Sequence, residues 1–162
     1  MSEMDTGAAA PAQDPNASQF SLQRIYVRDL SFESPGAPES FRTQWKPKVG
    51  LELNTRHQNI EATLYEVVLS MTIIARNEQD ENMYLCEVQQ AGIFHIANLD
   101  DAALEHTLNS FCPALLFPYA REVIDSMVVK GSFPPLMLAP VNFDAIYEQS
   151  KLAKERGEAP VN

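Results

Sequence analysis

The spacing of apolar residues changes once along this chain, and that change limits the fold more than any other feature. Up to about residue 97, apolar and polar side chains alternate in several segments, which is the period of a β-strand with two different faces. Beyond Asn98 the apolar residues recur every three to four positions, which is the period of a helix with one buried stripe. A block of strands followed by a block of helices predicts an α+β fold.

Four strands are predicted, over residues 20–33, 47–54 and 64–76 and from residue 83 onward. A short polar turn joins the last two strands without a helix between them, so we expect a four-stranded antiparallel sheet with helices packed on one face. In the first strand, strict alternation groups Asp29 with Ile25 and Val27. The apolar parity of this strand switches near Arg24 and near Leu30, which predicts a bulge or two partly covered faces.

The second half of the chain contains residues that are typical of helix starts and ends. Asp100 or Asp101 is suited to cap the first helix, and Pro113 is expected to close or redirect it. Pro118 predicts that the next helix is regular only after about residue 117, and Gly131 predicts where that helix stops.

The chain length fits one domain, which we place at residues 19–156. Its third helix is predicted to start at the cap Asn142. Residues 1–18 are rich in Ala, Pro, Ser and Asp and predict a disordered tail, as do residues 157–162. The first nineteen residues contain no apolar run, so we expect neither an export signal nor a membrane anchor, and a cytoplasmic location.

Charge narrows the choice of partner. The chain has 12 Lys and Arg against 22 Asp and Glu, a net charge of -10, which repels nucleic acid and anionic lipid surfaces. Residues 77–120 contain no Lys or Arg at all. The charge pattern therefore favours a basic partner, or else indicates an acidic surface that only keeps the protein in solution.

The residues that usually carry catalysis or bind metals are sparse. His57, His95 and His106 have no cysteine or carboxylate at metal-ligand spacing, so we predict no metal site. Cys86 and Cys112 are expected to be reduced core thiols. A cysteine nucleophile near a histidine is the remaining enzyme hypothesis, but no flanking residue activates a thiol. We predict a protein that is not an enzyme and needs no cofactor.

The fourth predicted strand shows two different surfaces. Leu85 and Glu87 share a face that mixes apolar and anionic groups, whereas Cys86 and Val88 share an apolar face suited to a core or a subunit contact. Apolar residues also exceed what a small domain needs for its own core, which predicts an interface or a binding groove. The residues of this excess are Tyr26, Trp45, Val49, Leu51, Leu53, Tyr84, Phe133, Pro134, Pro135, Leu136 and Met137.

Several long motifs give the chain a close resemblance to the SecB family of protein-export chaperones, over about residues 20–150. They are IYVRDLSFE at 25–33, YEVVL at 65–69, LCEVQQAGIF at 85–94, CPALLFPYARE at 112–122 and LAPVNFDA at 138–145. The resemblance implies a SecB-like fold, a homotetramer built as a dimer of dimers, and an ATP-independent holdase. Such a holdase keeps precursor proteins unfolded and delivers them to the translocation ATPase SecA.

The resemblance also implies three sets of site residues. The basic, zinc-bearing C-terminal tail of SecA is expected on Asp29, Glu33, Leu85 and Glu87. Clients are expected in a groove lined by Tyr26, Trp45, Val49, Leu51, Leu53 and Tyr84. The tetramer interface is expected to depend on Cys86, Val88 and Gln90. The alternative is a SecB-like chaperone dedicated to a toxin–antitoxin pair, whose sheet and grooves would look alike from sequence.

Overall fold

A computed structural model describes residues 10–157. It contains four strands, β1 (Gln19–Glu33), β2 (Lys48–Glu61), β3 (Leu64–Arg76) and β4 (Asn82–Ala97), and a short 3-10 helix at Glu39–Arg42. Three α-helices follow, α1 (Asp101–His106), α2 (Cys112–Lys130) and α3 (Phe143–Glu155). The predicted α+β class is confirmed, and β2 extends seven residues beyond its predicted end.

The strands form one antiparallel sheet in the order β1-β4-β3-β2, so β1 and β2 are the edges. The helices cover one face, which we call the inner face, and the opposite face we call the outer face. A Cβ added to Gly92 of β4 would lie 2.9 Å from the Phe94 ring and 3.1 Å from the Leu116 side chain of α2. From Tyr84 onward, even-numbered residues of β4 therefore point inward and odd-numbered residues point outward.

Two register shifts interrupt β1, one between Leu22 and Arg24 and one between Val27 and Asp29. Each places one extra residue in β1, so of the two explanations for the parity switches the structure has bulges. The bulges keep the apolar residues on the inner face although their parity changes twice. Asp29 is paired with Gln89 and so lies on the outer face, which corrects the grouping by strict alternation.

The helical half departs from the sequence prediction at both internal prolines. Helical turns continue without a break from α1 through a π-helical segment, Thr107–Phe111, into α2. Pro113 lies in the first turn of α2, directly after the π-helical segment, and Pro118 lies inside the helix. An interior proline costs about 3 kcal/mol. The burial of four α2 side chains at i, i+4 spacing outweighs that cost, at about 0.5–3 kcal/mol each. They are Leu116, Ala120, Ile124 and Val128.

The other helix boundaries agree with the sequence. The Asp100 side chain accepts a hydrogen bond from the Ala103 N–H, and α2 ends at Gly131. The Asn142 side chain caps α3 through the Ala145 N–H. No helix within residues 10–157 is long and apolar enough to cross a membrane.

Residues 10–18 precede the first strand. The Asn98 side chain donates hydrogen bonds to the carbonyl oxygens of Pro15 and Ala17, at 3.1 and 2.9 Å. Of the tails predicted at residues 1–18 and 157–162, residues 1–9 and 158–162 lie outside the described residues.

Candidate functional site

The four residues expected to receive SecA lie together on the outer face. Glu33 pairs with Leu85 across β1 and β4, Ser31 pairs with Glu87, and Asp29 is one row further along. The three carboxylates are exposed, and Leu85 is half-buried. Their rows are adjacent because the register of β1 and β4 is continuous here.

Sequence reasoning missed one carboxylate on this surface. Glu52 of β2 pairs with Thr72 of β3, which in turn pairs with Glu87, so Glu52 lies in the row of Glu87 on the outer face. The separation of β2 and β4 in the sequence hides this relation, and only the register of β3 reveals it. Within residues 10–157, no Lys, Arg or His nitrogen lies within 4.0 Å of these carboxylates. The acidic patch is the set Asp29, Glu33, Glu52, Leu85 and Glu87.

Tyr26 lies apart from the other residues of the expected client groove. It is on the outer face opposite Ala91, and its hydroxyl donates to the Glu66 carboxylate. Arg28 and Gln58 also donate to Glu66, which is only 8% exposed. Burial and the hydrogen bond to Glu66 raise the pKa of Tyr26 to about 12, so it remains a proton donor at neutral pH. Tyr26 therefore belongs to a polar network.

An aromatic cluster forms around two of the expected groove residues at one end of the inner face. Trp45 stacks on Tyr84 with ring centroids 6.4 Å apart, and Phe133 contacts both rings, at 5.4 Å from Trp45 and 4.8 Å from Tyr84. Tyr84 is fully buried, and burial raises its pKa to about 12. Sequence reasoning placed Phe133 among the excess apolar residues but did not assign it to the groove.

The remaining expected groove residues line the inner face of the edge strand β2. Val49, Leu51 and Leu53 pair with β3 residues that belong to the buried core, so they share the helix side of the sheet. Val49 and Leu51 are 42% and 38% exposed, because no strand covers the far side of β2. Leu53 lines a cavity of about 220 Å³ between β2 and α3, together with Phe143 of α3. Apolar surface thus continues along β2.

Helix α3 is fixed over this cavity by a carboxylate in its first turn. Asp144 Oδ1 accepts a hydrogen bond from the Ser110 hydroxyl and lies 2.8 Å from His106 Nε2. These two contacts, Ser110 first, lower the pKa of Asp144. The aromatic ring of Tyr147 packs 5.5 Å from the His106 ring. One wall of the cavity is therefore a helix attached by polar contacts.

The residues expected to govern tetramer assembly point inward. Cys86, Val88 and Gln90 are buried within a single subunit, on the face that α2 covers. The Gln90 side-chain amide donates to the Tyr26 carbonyl oxygen at 3.1 Å. Burial raises the pKa of Cys86 to about 11 and that of Cys112 to about 12, so neither thiol ionises at neutral pH. Within residues 10–157 no group of three His, Cys, Asp or Glu side chains could hold a metal ion.

Taken together, these features define a protein that works by presenting surfaces to other proteins: an apolar one on the helix side of a sheet and an acidic one on its outer face. A family model described as SecB, preprotein translocase subunit SecB, matches residues 13–154. The protein-export protein SecB of Pseudomonas paraeruginosa is 56% identical over 149 residues, which are 92% of this chain and 90% of the relative. Its counterpart from Pseudomonas fluorescens is 62% identical over 138 residues, 85% of this chain and 86% of the relative. This chain belongs to the SecB family of protein-export chaperones.

A solved structure gives a more distant comparison. It is the SecB-like chaperone Rv1957 of Mycobacterium tuberculosis, in complex with a ChAD peptide from the Rv1956 HigA1 antitoxin. It superposes with a TM-score of 0.64 at 18% identity, covering 75% of this chain and 90% of that one. At this identity the likeness shows the fold alone. The relatives named for protein export therefore favour export over the toxin–antitoxin alternative.

Proposed function

We propose that this chain is a cytoplasmic, ATP-independent holdase that keeps precursor proteins unfolded and passes them to SecA. The observation that carries the proposal is the separation of two surfaces by one sheet. The apolar surface lies on the helix side along β2, and the acidic patch lies on the outer face. Neither surface needs a catalytic group, and both buried thiols are protonated, so we propose that the protein is not an enzyme.

Clients bind along the inner face of β2. Val49, Leu51 and Leu53 offer apolar contacts to an unfolded segment, and the unpaired edge of β2 offers backbone hydrogen bonds. The contacts are individually weak because their side chains are only partly exposed. Several contacts along one client act together through effective concentration, so the client is held firmly and still exchanges locally.

SecA binds the acidic patch through its basic C-terminal tail. Four carboxylates with no cationic group within 4.0 Å in the described part of the chain attract lysine and arginine side chains, and Leu85 supplies an apolar contact among them. The zinc ion of that tail belongs to the partner.

Assembly into a homotetramer uses the exposed side of the helix layer. Phe111, Tyr119 and Val129 lie on the π-helical segment and α2, and each is about half exposed. A second copy of the helix layer would bury them. Cys86 and Val88 act on assembly indirectly, since they pack beneath α2 and set its position on the sheet.

Loss of apolar contacts on β2 tests the client surface. Replacing Leu51 and Leu53 by Ser should reduce the suppression of client aggregation several-fold, because each serine removes an apolar contact to the client. The measurement is light scattering of a denatured client diluted into stoichiometric chaperone. Ile60→Ser is the matched control, since Ile60 is also exposed on β2 but lies nine residues from Leu51, about 30 Å away.

Leu53 is half-buried, so its replacement by Ser could also destabilise the fold. The single variant Leu51→Ser changes an exposed side chain and therefore separates client binding from folding. Its melting temperature and size in solution should match those of the unmodified protein, while client holding decreases. If Leu51→Ser holds clients as well as Ile60→Ser does, the client surface lies elsewhere.

A further inference from the structure

Cations lie on both sides of the acidic patch on the outer face: Lys48 and Arg76 pair at one end of the sheet, and an arginine cluster lies toward the other. Beyond the acidic patch, three arginines occupy the end where β1 begins and β2 ends: Arg24 opposite Ile93, Arg28 in the second bulge, and Arg56 opposite Val68. The carboxylate of Glu66 lies among them, and Glu61, paired with Leu64, lies one row beyond. A wholly basic partner would meet repulsion here as it extends along the strands from the acidic patch.

A small pocket lies between two of these arginines. Its volume is about 110 Å³, and it is lined by Arg28, Arg56, His57, Gln58, Glu66 and Val68. Glu66 already accepts from Tyr26, Arg28 and Gln58, so its oxygens are occupied. Arg56 instead donates to the neutral side chain of Gln89 at 3.2 Å and has no carboxylate within 4.0 Å in the described part of the chain. The pocket therefore presents an uncompensated guanidinium.

Glu52 and Glu87 of the acidic patch lie a short peptide's length from the pocket, whereas Asp29 lies one row from Arg56. Arg56 is four residues from Glu52 along β2, and Glu52 shares its row with Glu87. Four strand residues span about 13 Å, the reach of about four residues of an extended peptide. The free N–H groups of Arg28 and Arg56 match the geometry of a carboxylate, which accepts such donors in pairs.

We propose that the Arg28–Arg56 pocket binds a carboxylate side chain of the SecA segment that docks on the acidic patch, about four extended residues away from its basic residues. This deepens the proposed function and rests on it. The outer face would then select a partner by the order and spacing of two charges, and a partner that is basic throughout would bind less well.

Two synthetic peptides test the pocket. Both carry three lysines in a serine-rich sequence; one has a glutamate four residues from the lysines on each side, and the other has glutamine at those positions. By fluorescence anisotropy, the glutamate peptide should bind the unmodified chaperone about threefold to fivefold more tightly, although its net charge is less positive. In Arg56→Gln this advantage should disappear. Arg42→Gln is the control, because it removes the same charge from an arginine that pairs with Glu39 far from the pocket.

The outcomes separate the two levels of the proposal. Equal affinity of the two peptides for the unmodified chaperone overturns the carboxylate site, and so does tighter binding of the glutamate peptide that persists in Arg56→Gln. The hydrogen bonds to Glu66 would then only stabilise the sheet. If Glu87→Lys weakens neither peptide, docking on the acidic patch itself is wrong, and the proposed function loses its SecA surface.

Discussion

Charge reversal at Glu87 is the most direct test of the acidic patch. Glu87 lies at the centre of the outer face, paired with Ser31 on one side and Thr72 on the other, and its side chain is exposed. Glu87→Lys therefore leaves the core intact while it changes the sign of one charge where the partner docks. We expect SecA binding to weaken and client holding to survive.

The size of the effect follows from Coulomb's law. A partner cation about 5 Å from Glu87 in a water-like dielectric gains about 0.8 kcal/mol, and reversal replaces this gain by an equal repulsion, a change of about 1.7 kcal/mol. Screening over a Debye length of about 8 Å at 0.15 M salt roughly halves that change. The expected loss of affinity is about fivefold at 0.15 M salt and above tenfold at low salt.

The assay is titration of labelled chaperone with purified SecA at two salt concentrations. Glu61→Lys is the control, because it changes the net charge equally from a position eight residues away along the sheet. That separation is about 27 Å, more than three Debye lengths, so Glu61→Lys should leave the affinity nearly unchanged.

Two results would refute this reasoning. Equal losses in Glu87→Lys and Glu61→Lys would mean that SecA responds to net charge and not to a local patch. A loss in Glu87→Lys that does not depend on salt would mean that the substitution acts through structure.

Three further predictions concern stability and reactivity. Gly92→Ala should lower the free energy of unfolding by about 1–3 kcal/mol in urea titrations, because the added methyl would overlap the side chains that cover this glycine. Gly50→Ala is the control and should not lower the free energy of unfolding, because its added Cβ would have its nearest neighbour at 3.9 Å. Equal losses in the two variants would contradict the packing argument. The pKa of Asp144 is lowered in the folded state, so its contribution to stability is present above the ordinary carboxyl pKa and is lost as the pH falls through the lowered value. The urea midpoints of the unmodified protein and of Asp144→Asn should therefore differ at pH 7 and converge in acid, and a difference that grows in acid would reverse the assigned sign. Burial raises the pKa of Cys86 to about 11 and that of Cys112 to about 12, so both thiols should resist iodoacetamide at pH 8 until urea unfolds the chain. Mass spectrometry follows the labelling. Rapid labelling of the folded protein would support the hypothesis of a cysteine nucleophile.

The sequence predicted those parts of the fold that depend on a local pattern, such as the spacing of apolar residues or a helix cap. Alternation and the density of β-branched residues located the four strands, and the parity switches in β1 indicated a bulge as one of two explanations, because each extra residue turns the apolar side chains to the opposite parity. The caps at Asp100 and Asn142 followed from local hydrogen bonding. Pro118 failed as a helix boundary because a local preference was outweighed by the burial of the whole α2 stripe, which no local rule includes.

The surfaces were less predictable because they depend on pairing between distant strands. The acidic residues of β1 and β4 were found through the resemblance, but Glu52 joins them only through the register of β3. The resemblance grouped Tyr26 with the groove residues, and the bulged register of β1 places its side chain on the outer face. The position of Tyr26 beside Glu66 depends on the register of three strands, β1, β4 and β3.

The central strands carry a constraint of length that β1 does not. Ile73 and Ile74 are neighbours in β3, yet Ile73 faces the helices in line with Leu51 while Ile74 faces outward beside Leu85. A substitution in β3 changes one surface at a time, but the insertion or deletion of a single residue would exchange the two sets of side chains along the rest of the strand. The edge strand β1 contains two such extra residues. It can do so because β1 is hydrogen-bonded to one strand only, so a bulge disturbs a single pairing. Where β3 and β4 are paired on both sides, the number of residues is therefore harder to change than their identity, and the one extra residue of β4, Met83, lies beyond the end of β1.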